Sequence, residues 1–247
     1  MLDEDPQCTG HAAEALAIYR ERCEALQRAG QRKPDMVAQK ELARQWAPPR
    51  SHGEIPGVPI GLKLAGRGEA AILGIHTQIL RGIDAFQGEA CYAVCVSGGY
   101  VDDKDTEPDG SLIYTGNGGQ KGGRQVKDQT DDAYNMSLLT SIDTQEPIRL
   151  LRGVVKQGKP EYVYDGLYRC EKYEYTASAD GPMVYKFKLV PIPGLSRHSL
   201  TVVPKKIAGP HKNGAKNRLE AKLKAKKGVK DRLESKLRIK IKRARLE

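Results

Sequence analysis

The sequence predicts an α+β protein with a helical N-terminus, a β-rich middle and a basic C-terminal tail. Hydrophobic residues recur at helical spacing within the first fifty positions. After residue 90 they form short continuous runs or alternate with polar residues, and glycine and proline separate the runs, which is typical of strands joined by turns. The 247 residues have room for one sizeable domain with additions at its ends.

Two amphipathic helices are expected at the start of the chain. The first covers residues 11–29, and its apolar face carries Leu16, Tyr19, Cys23 and Leu26. The second begins at Pro34, a residue favoured in a first helical turn, and ends at Trp46 before two prolines. Neither helix can bury its apolar face alone. We therefore expect residues 1–49 to form a helical hairpin that packs on the next domain.

Three segments of the middle region have strand patterns. Residues 91–97 form a continuous apolar run, which is typical of a buried strand. Residues 162–175 are rich in aromatic side chains and are interrupted at Asp165 and Gly166. Residues 183–190 alternate strictly between two sets of side chains. These segments predict the main strands of a sheet.

The five cysteines indicate neither a disulfide framework nor a zinc site. Their number is odd, they form no CxxC pair, and no histidine stands at ligand spacing. Cys91 and Cys95 fall on one predicted strand four residues apart, so we expect them to face the same side of it. We interpret both as core thiols.

Nearly all of the positive charge lies in residues 205–247, which hold 12 lysines and 5 arginines against 4 acidic residues and leave residues 1–204 with a net charge of −3. Within this tail, residues 216–223 (KNRLEAKL) recur as residues 230–237 (KDRLESKL). We expect residues 196–247 to be a linker and a helical or disordered tail that binds a polyanion and directs nuclear import. A partner helix or a membrane-surface segment is the alternative.

No apolar run approaches the ~20 residues that a membrane-spanning helix needs. The acidic N-terminus also lacks the pattern of a signal peptide. A soluble, intracellular protein is the expectation.

Two glycine- and tyrosine-rich motifs carry the functional signal: residues 98–103 (GGYVDD) and residues 114–119 (YTGNGG). They supply two aromatic rings, Tyr100 and Tyr114, together with the carboxylate of Asp103 and several small residues. Such groups suit a slot for one flat heterocycle that carries an exocyclic amine, as in an enzyme or reader that takes a base out of the duplex.

These motifs are accompanied by residues 55–61 (IPGVPIG), by Asp128 and Gln129, and by residues 164–168 (YDGLY). Together they resemble the SRA (SET- and RING-associated, or YDG) domain over residues 50–195. The resemblance is closest to the plant SRA-containing histone methyltransferases, in which a two-helix bundle precedes this domain. It implies a curved sheet or partly open β-barrel with flanking helices. Because pre-SET and SET segments are missing here, we expect no methyltransferase activity.

The resemblance implies a pocket for 5-methylcytosine. Tyr100 and Tyr114 match the tyrosines that sandwich the extruded base, and Asp103 matches the aspartate that accepts a hydrogen bond from its N4 amine. If the register shifts by one residue, Asp102 takes this role instead. The predicted pocket residues are Ser97, Gly98, Gly99, Tyr100, Asp103, Tyr114, Thr115 and Gly116.

Two loops match the segments that SRA domains insert into the duplex. Residues 79–84 correspond to a thumb loop, which makes Leu80 or Arg81 the wedge that replaces the base. The longer finger with an Asn-Lys-Arg motif is absent from residues 119–125, whose candidate DNA contacts are Gln120, Lys121 and Arg124. The shorter segment implies looser sequence context and tolerance of methylation on both strands.

The sequence hypothesis is a nuclear, non-enzymatic reader whose partner is double-stranded DNA containing 5-methylcytosine. Histones or chromatin factors are expected as further partners, and no membrane, cofactor, metal or catalytic residue is expected. Two alternatives stay open. One is a modification-dependent nuclease or base-processing enzyme whose active site the sequence does not reveal. The other is a scaffold that binds DNA nonspecifically through its tail.

Overall fold

Four helices form within residues 5–105, 110–156 and 159–197, which are the residues that the computed structural model describes. Their bounds are α1 Gly10–Arg28, α2 Pro34–Trp46, α3 Arg67–Ile72 and α4 Ala133–Thr144. The first two confirm the predicted helices. Asp132 is the N-cap of helix α4, and its side chain accepts hydrogen bonds from two backbone N–H groups of the first turn.

The strands form one open eight-stranded sheet and a separate two-stranded hairpin within the described part of the chain. Their bounds are β1 Lys63–Leu64, β2 Ile83–Asp84, β3 Ala93–Val96, β4 Lys104–Asp105, β5 Leu112–Thr115, β6 Gln120–Lys121, β7 Arg124–Gln125, β8 Ile148–Lys156, β9 Lys159–Ala177 and β10 Met183–Ser196. The order in the sheet is β2-β3-β8-β9-β10-β5-β4, with β1 paired to β9, and the hairpin is β6-β7. Only β3 and β8 pair in parallel among these strands. The α+β class with an open sheet and flanking helices is confirmed.

Helices cover both faces of the sheet, and each face has its own hydrophobic core. One cluster joins α1, α2 and α3 to Cys95, Leu151 and Tyr164. The other joins Leu138 of α4 to side chains of β3, β5, β9 and β10. Adjacent residues of a strand point to opposite faces, so one sheet supplies both cores.

Cys91 and Cys95 are both buried, as predicted for core thiols. They belong to different clusters, however, and the expectation of a shared face is wrong. The reason is that β3 begins at Ala93, so strand alternation does not extend back to Cys91.

The predicted interruption at Asp165 and Gly166 is a β-bulge rather than a break. Strand β9 continues through it, and the pairing with β8 shifts register between Leu150 and Leu151. Gly166 has a φ of +101°, and a Cβ built on it would lie 2.2 Å from the carbonyl oxygen of Leu195. This position therefore requires glycine, because any side chain would collide with the β10 backbone.

No described helix combines the length and apolar character that a membrane span needs. The basic tail, residues 205–247, lies outside the described residues, so its helical or disordered state stays a prediction. The division of the chain into residues 1–49, 50–195 and 196–247 also stays a prediction.

Candidate functional site

The glycine pair turns the chain as it leaves β3. Gly98 has a φ of +65°, which lies in the left-handed region that favours glycine. A Cβ built on Gly99 would meet no atom within 4 Å, so the space beside this residue is open. Ser97 is exposed at the start of the turn. The Gly99 backbone is therefore open on the side where a side chain would stand.

Two neighbouring aspartates after this turn have different surroundings. Asp102 is buried and forms an ion pair with Lys186 at 2.8 Å. It also accepts hydrogen bonds from the Ser178 hydroxyl and from the backbone N–H of Ala179. Asp102 therefore ties the turn to the end of β9. Its carboxylate is already committed to protein partners, which favours the register that places Asp103 in the pocket.

The carboxylate of Asp103 has different partners. Its Oδ1 accepts a hydrogen bond of 2.8 Å from the backbone N–H of Thr115. Burial raises the pKa of Asp103 to about 6, and the hydrogen bond from Thr115 offsets part of that effect. A further hydrogen-bond donor would stabilise the ionised form of this buried carboxylate.

The two predicted pocket tyrosines both lie near enough to Asp103 to be affected by its charge. Burial raises the pKa of both hydroxyls, and the charge of Asp103 contributes to each shift. Tyr100 is partly exposed, whereas Tyr114 on β5 is 3% exposed and packs within the second core cluster. The structure therefore brings Tyr100, Asp103 and Tyr114 together, with one ring accessible and one ring buried.

A polar network supports the second glycine loop, and it joins groups that sequence reasoning did not combine. Gln129 donates from Nε2 to the carbonyl oxygen of Gly116 at 2.6 Å. Asn135 on α4 accepts from the backbone N–H of Asn117 at 2.7 Å. A Cβ on Gly116 would lie 2.5 Å from Asn135 Oδ1, so glycine is needed for this close approach. The helix N-cap signal of Asp132 could have indicated that a helix end supports this loop.

Residues 77–82 project from the surface, and we call them the wedge loop. Leu80 is 81% exposed at its tip. The guanidinium of Arg81 instead lies 4.6 Å above the ring of Tyr134. Both candidate wedges are exposed, but Leu80 is the apolar one, and an apolar side chain suits insertion at an unstacked base step.

The hairpin β6-β7 stands where a longer finger was considered. Its turn is Gly122 and Gly123, both with positive φ, which is the two-residue turn that closes a tight hairpin. Gln120 donates to the carbonyl oxygen of Gly99 at 2.8 Å and so joins the hairpin to the glycine turn. Arg124 forms a 3.8 Å ion pair with Asp180, and Lys121 is exposed.

The YDG segment is part of the scaffold. Asp165 is fully buried, and its Oδ2 accepts hydrogen bonds from Arg152 Nε at 2.6 Å and from the Tyr168 hydroxyl at 2.7 Å. Its role is to close the bulge between β8 and β9. Across the described ranges, no three His, Cys, Asp or Glu side chains are grouped to hold a metal ion.

A family model described as the SAD/SRA domain matches residues 51–195. The chain belongs to this family. Among curated relatives, the H3 lysine-9 specific histone-lysine N-methyltransferase SUVH6 of Arabidopsis thaliana is 40% identical over 169 residues, which cover 62% of this chain and 21% of that protein. The chain therefore spans about a fifth of that relative, and the similarity concerns its SAD/SRA portion.

Solved structures agree with this assignment. A structure of KRYPTONITE in complex with mCHG DNA and SAH has a TM-score of 0.71 and 27% identity, covering 76% of this chain and 44% of that one. The SRA domain of SUVH5 in complex with fully methylated CG DNA has a TM-score of 0.53 and 36% identity, covering 61% and 99%. A modification-dependent restriction endonuclease, TagI, has a TM-score of 0.54 and 35% identity, covering 60% and 54%.

Proposed function

We propose that this protein reads methylated DNA by rotating 5-methylcytosine out of the duplex into the space beside Tyr100, Asp103 and Tyr114. The observation that carries the proposal is the contrast between Asp102 and Asp103. The Asp102 carboxylate is paired with Lys186, whereas the Asp103 carboxylate accepts from the backbone N–H of Thr115 and its charge acts on the hydroxyls of Tyr100 and Tyr114. The family membership and the similar SRA domains bound to methylated DNA support it.

Asp103 selects cytosine by hydrogen-bond polarity. The N4 amine of cytosine donates, whereas thymine presents a carbonyl oxygen at the same place. Thymine would leave two acceptors facing each other, at a cost of about 1–3 kcal/mol. The open space beside Gly99 accommodates a substituent at C5. A single methyl group changes affinity only by tens-fold, because one buried methylene is worth roughly 1–3 kcal/mol.

The short hairpin β6-β7 favours recognition without strict hemimethylated-CpG selectivity. A two-residue turn between Lys121 and Arg124 presents little surface to the opposite strand. Its exposed cations, and those of the tail, add affinity for phosphates without reading sequence. We infer that methylation on both strands is tolerated.

The protein acts as a reader rather than an enzyme in this proposal, in the nucleus, with chromatin factors or histones as wider partners. The similarity to TagI makes a modification-dependent nuclease the competing function. Incubation with methylated plasmid and magnesium separates the two. Intact plasmid supports the reader, and cleavage that depends on methylation supports the nuclease.

Fluorescence anisotropy on matched duplexes with unmodified, hemimethylated or fully methylated cytosine tests the proposal. We expect a tens-fold preference for both methylated duplexes, and Tyr100→Ala removes stacking that is worth about 1–3 kcal/mol. Deletion of residues 205–247 lowers affinity for every duplex and leaves the preference intact. If the deletion abolishes all binding and the full chain shows no preference, the tail-driven scaffold is correct.

A further inference from the structure

The wedge loop is held by a side chain that lies outside it in the sequence. Arg67 is the first residue of α3, yet its Nη2 donates to the backbone carbonyl oxygens of Gln78 and Arg81. These two carbonyls lie on either side of the loop tip. A single guanidinium nitrogen therefore closes the loop around Leu80, the exposed residue proposed as the wedge.

His76 extends this contact to the end of the loop. Its Nε2 lies 3.1 Å from the carbonyl oxygen of Gly82, and its Nδ1 lies 3.3 Å from Arg67 Nη2. A carbonyl requires a donor at Nε2, and a guanidinium requires an acceptor at Nδ1, so only one neutral tautomer satisfies both. Burial and the charge of Arg67 lower the pKa of His76 to about 4, which keeps the ring neutral at physiological pH.

Neighbouring residues also hold both ends of the loop, while Leu80 at its tip is exposed. At the start, the buried Asp84 accepts hydrogen bonds from the backbone N–H and the hydroxyl of Thr77. At the other end, a Cβ built on Gly82 would lie 2.6 Å from the Tyr114 hydroxyl. Gly82, at the end of the loop, therefore lies close to the hydroxyl of the buried Tyr114.

We propose that Arg67 and His76 are positioning residues that hold the wedge loop in one shape, so that Leu80 enters the duplex while the extruded base lies beside Tyr100, Asp103 and Tyr114. This inference rests on the proposed function. A wedge loop that is ordered before binding gives higher affinity, because ordering each loop residue on binding costs free energy. Neither residue needs to contact DNA for this role.

The test compares three variants of the full chain on methylated and unmodified duplexes. Arg67→Met removes the donors and keeps much of the side-chain length, Arg67→Lys keeps a cationic donor, and Arg22→Met removes an exposed arginine that pairs with Glu41 on the helical hairpin. We expect Arg67→Met to weaken methylated-duplex binding about tenfold with little effect on the unmodified duplex. The lysine variant recovers part of the loss, and Arg22→Met behaves as wild type.

Two readouts separate positioning from other roles of Arg67. If it contacted phosphate, Arg67→Met would weaken both duplexes alike and lower the salt dependence, which would overturn the proposal. A loss for both duplexes that accompanies a lower Tm would also overturn it. If Arg67→Met does not fold, Arg67→Lys and His76→Gln carry the same comparison.

A double-mutant cycle with Leu80→Ala completes the test. Because Arg67 acts through Leu80, the double variant should bind the methylated duplex no worse than Leu80→Ala alone, and additive losses would contradict this. A wild-type protein without methyl preference would refute the proposed function itself. A preference that depends on Leu80 and is unchanged by Arg67→Met would refute only the positioning role.

Discussion

Two aspartates occupy motifs of similar composition, and the structure treats them in opposite ways. Asp165 in the YDG segment is fully buried, with an arginine and a tyrosine hydroxyl on one oxygen. Asp103 in the glycine-tyrosine turn accepts from the backbone N–H of Thr115, and burial raises its pKa to about 6. The motif alone does not show whether an aspartate is structural or a candidate binding residue. The partners of its carboxylate do.

The largest expected effect comes from Asp165→Asn. The substitution leaves the buried guanidinium of Arg152 without its carboxylate partner, and breaking a buried pair of this kind costs about 3–5 kcal/mol. Urea unfolding measures the change in the free energy of unfolding. The matched variant Asp103→Asn should lower the free energy of unfolding by less than ~1 kcal/mol, or raise it, because burial disfavours the charge of Asp103. Equal losses of unfolding free energy in the two variants would contradict the difference between Asp165 and Asp103.

The next effect concerns DNA binding. Asp103→Ala should weaken binding to methylated duplex by about 10–100-fold, since it removes an acceptor interaction of about 1–3 kcal/mol. Loss of a negative charge alone would instead strengthen DNA binding. Asp143→Ala, at an exposed position of α4, is the control and should leave the methyl preference unchanged. Anisotropy titrations check both, and an unaffected preference in Asp103→Ala would remove this carboxylate from the site.

The pH dependence follows from the raised pKa of Asp103. In the folded protein the carboxyl titrates near pH 6, above its ordinary value of 3.8. Because protonation favours the folded state in this case, stability should fall as the pH rises from about 4 to 6. The carboxylate must be ionised to accept from the base, so the ratio of methylated to unmodified affinity should fall between pH 7 and pH 5. His76 titrates near pH 4, below that window.

If the ratio of methylated to unmodified affinity is constant between pH 7 and pH 5, the Asp103 carboxylate does not take part in base recognition. The variant Asp103→Asn provides the control, because its amide does not titrate. Its ratio should be independent of pH, whatever its absolute value.

The smallest expected effect comes from Lys121→Gln on the exposed hairpin. The change should weaken methylated and unmodified duplexes alike by a few-fold and reduce the magnitude of the salt slope by about 0.9 for one lost phosphate contact. Anisotropy titrations at several salt concentrations measure this slope. A change confined to the methylated duplex would instead assign the hairpin to base recognition.

Most of the main-chain architecture could be predicted, because it depends on periodicity and on turn residues. The helical spacing and Pro34 located α1 and α2, and the alternation from Met183 located β10. The bulge at Asp165 was missed because an extra residue in a strand reads locally as an interruption. The partition of Cys91 and Cys95 between two cores was missed because it depends on where β3 begins.

Of the proposed site, the sequence indicates only the groups that would contact the base. The motifs indicated Tyr100, Asp103 and Tyr114 directly. They did not indicate that Arg67 closes the wedge loop, since this contact joins residues that are 11 and 14 positions apart through backbone carbonyls. Carbonyl partners leave no signal in side-chain identity, so only the folded structure reveals them.

Base flipping is tested most directly by the emission of 2-aminopurine placed beside 5-methylcytosine in a duplex. Extrusion of the methylated base unstacks the probe, so we expect a rise in emission when the full chain is added. The rise should be lost with Asp103→Ala and reduced with Leu80→Ala. Tight binding to the methylated duplex with no change in emission would contradict base flipping and would place recognition in the intact groove.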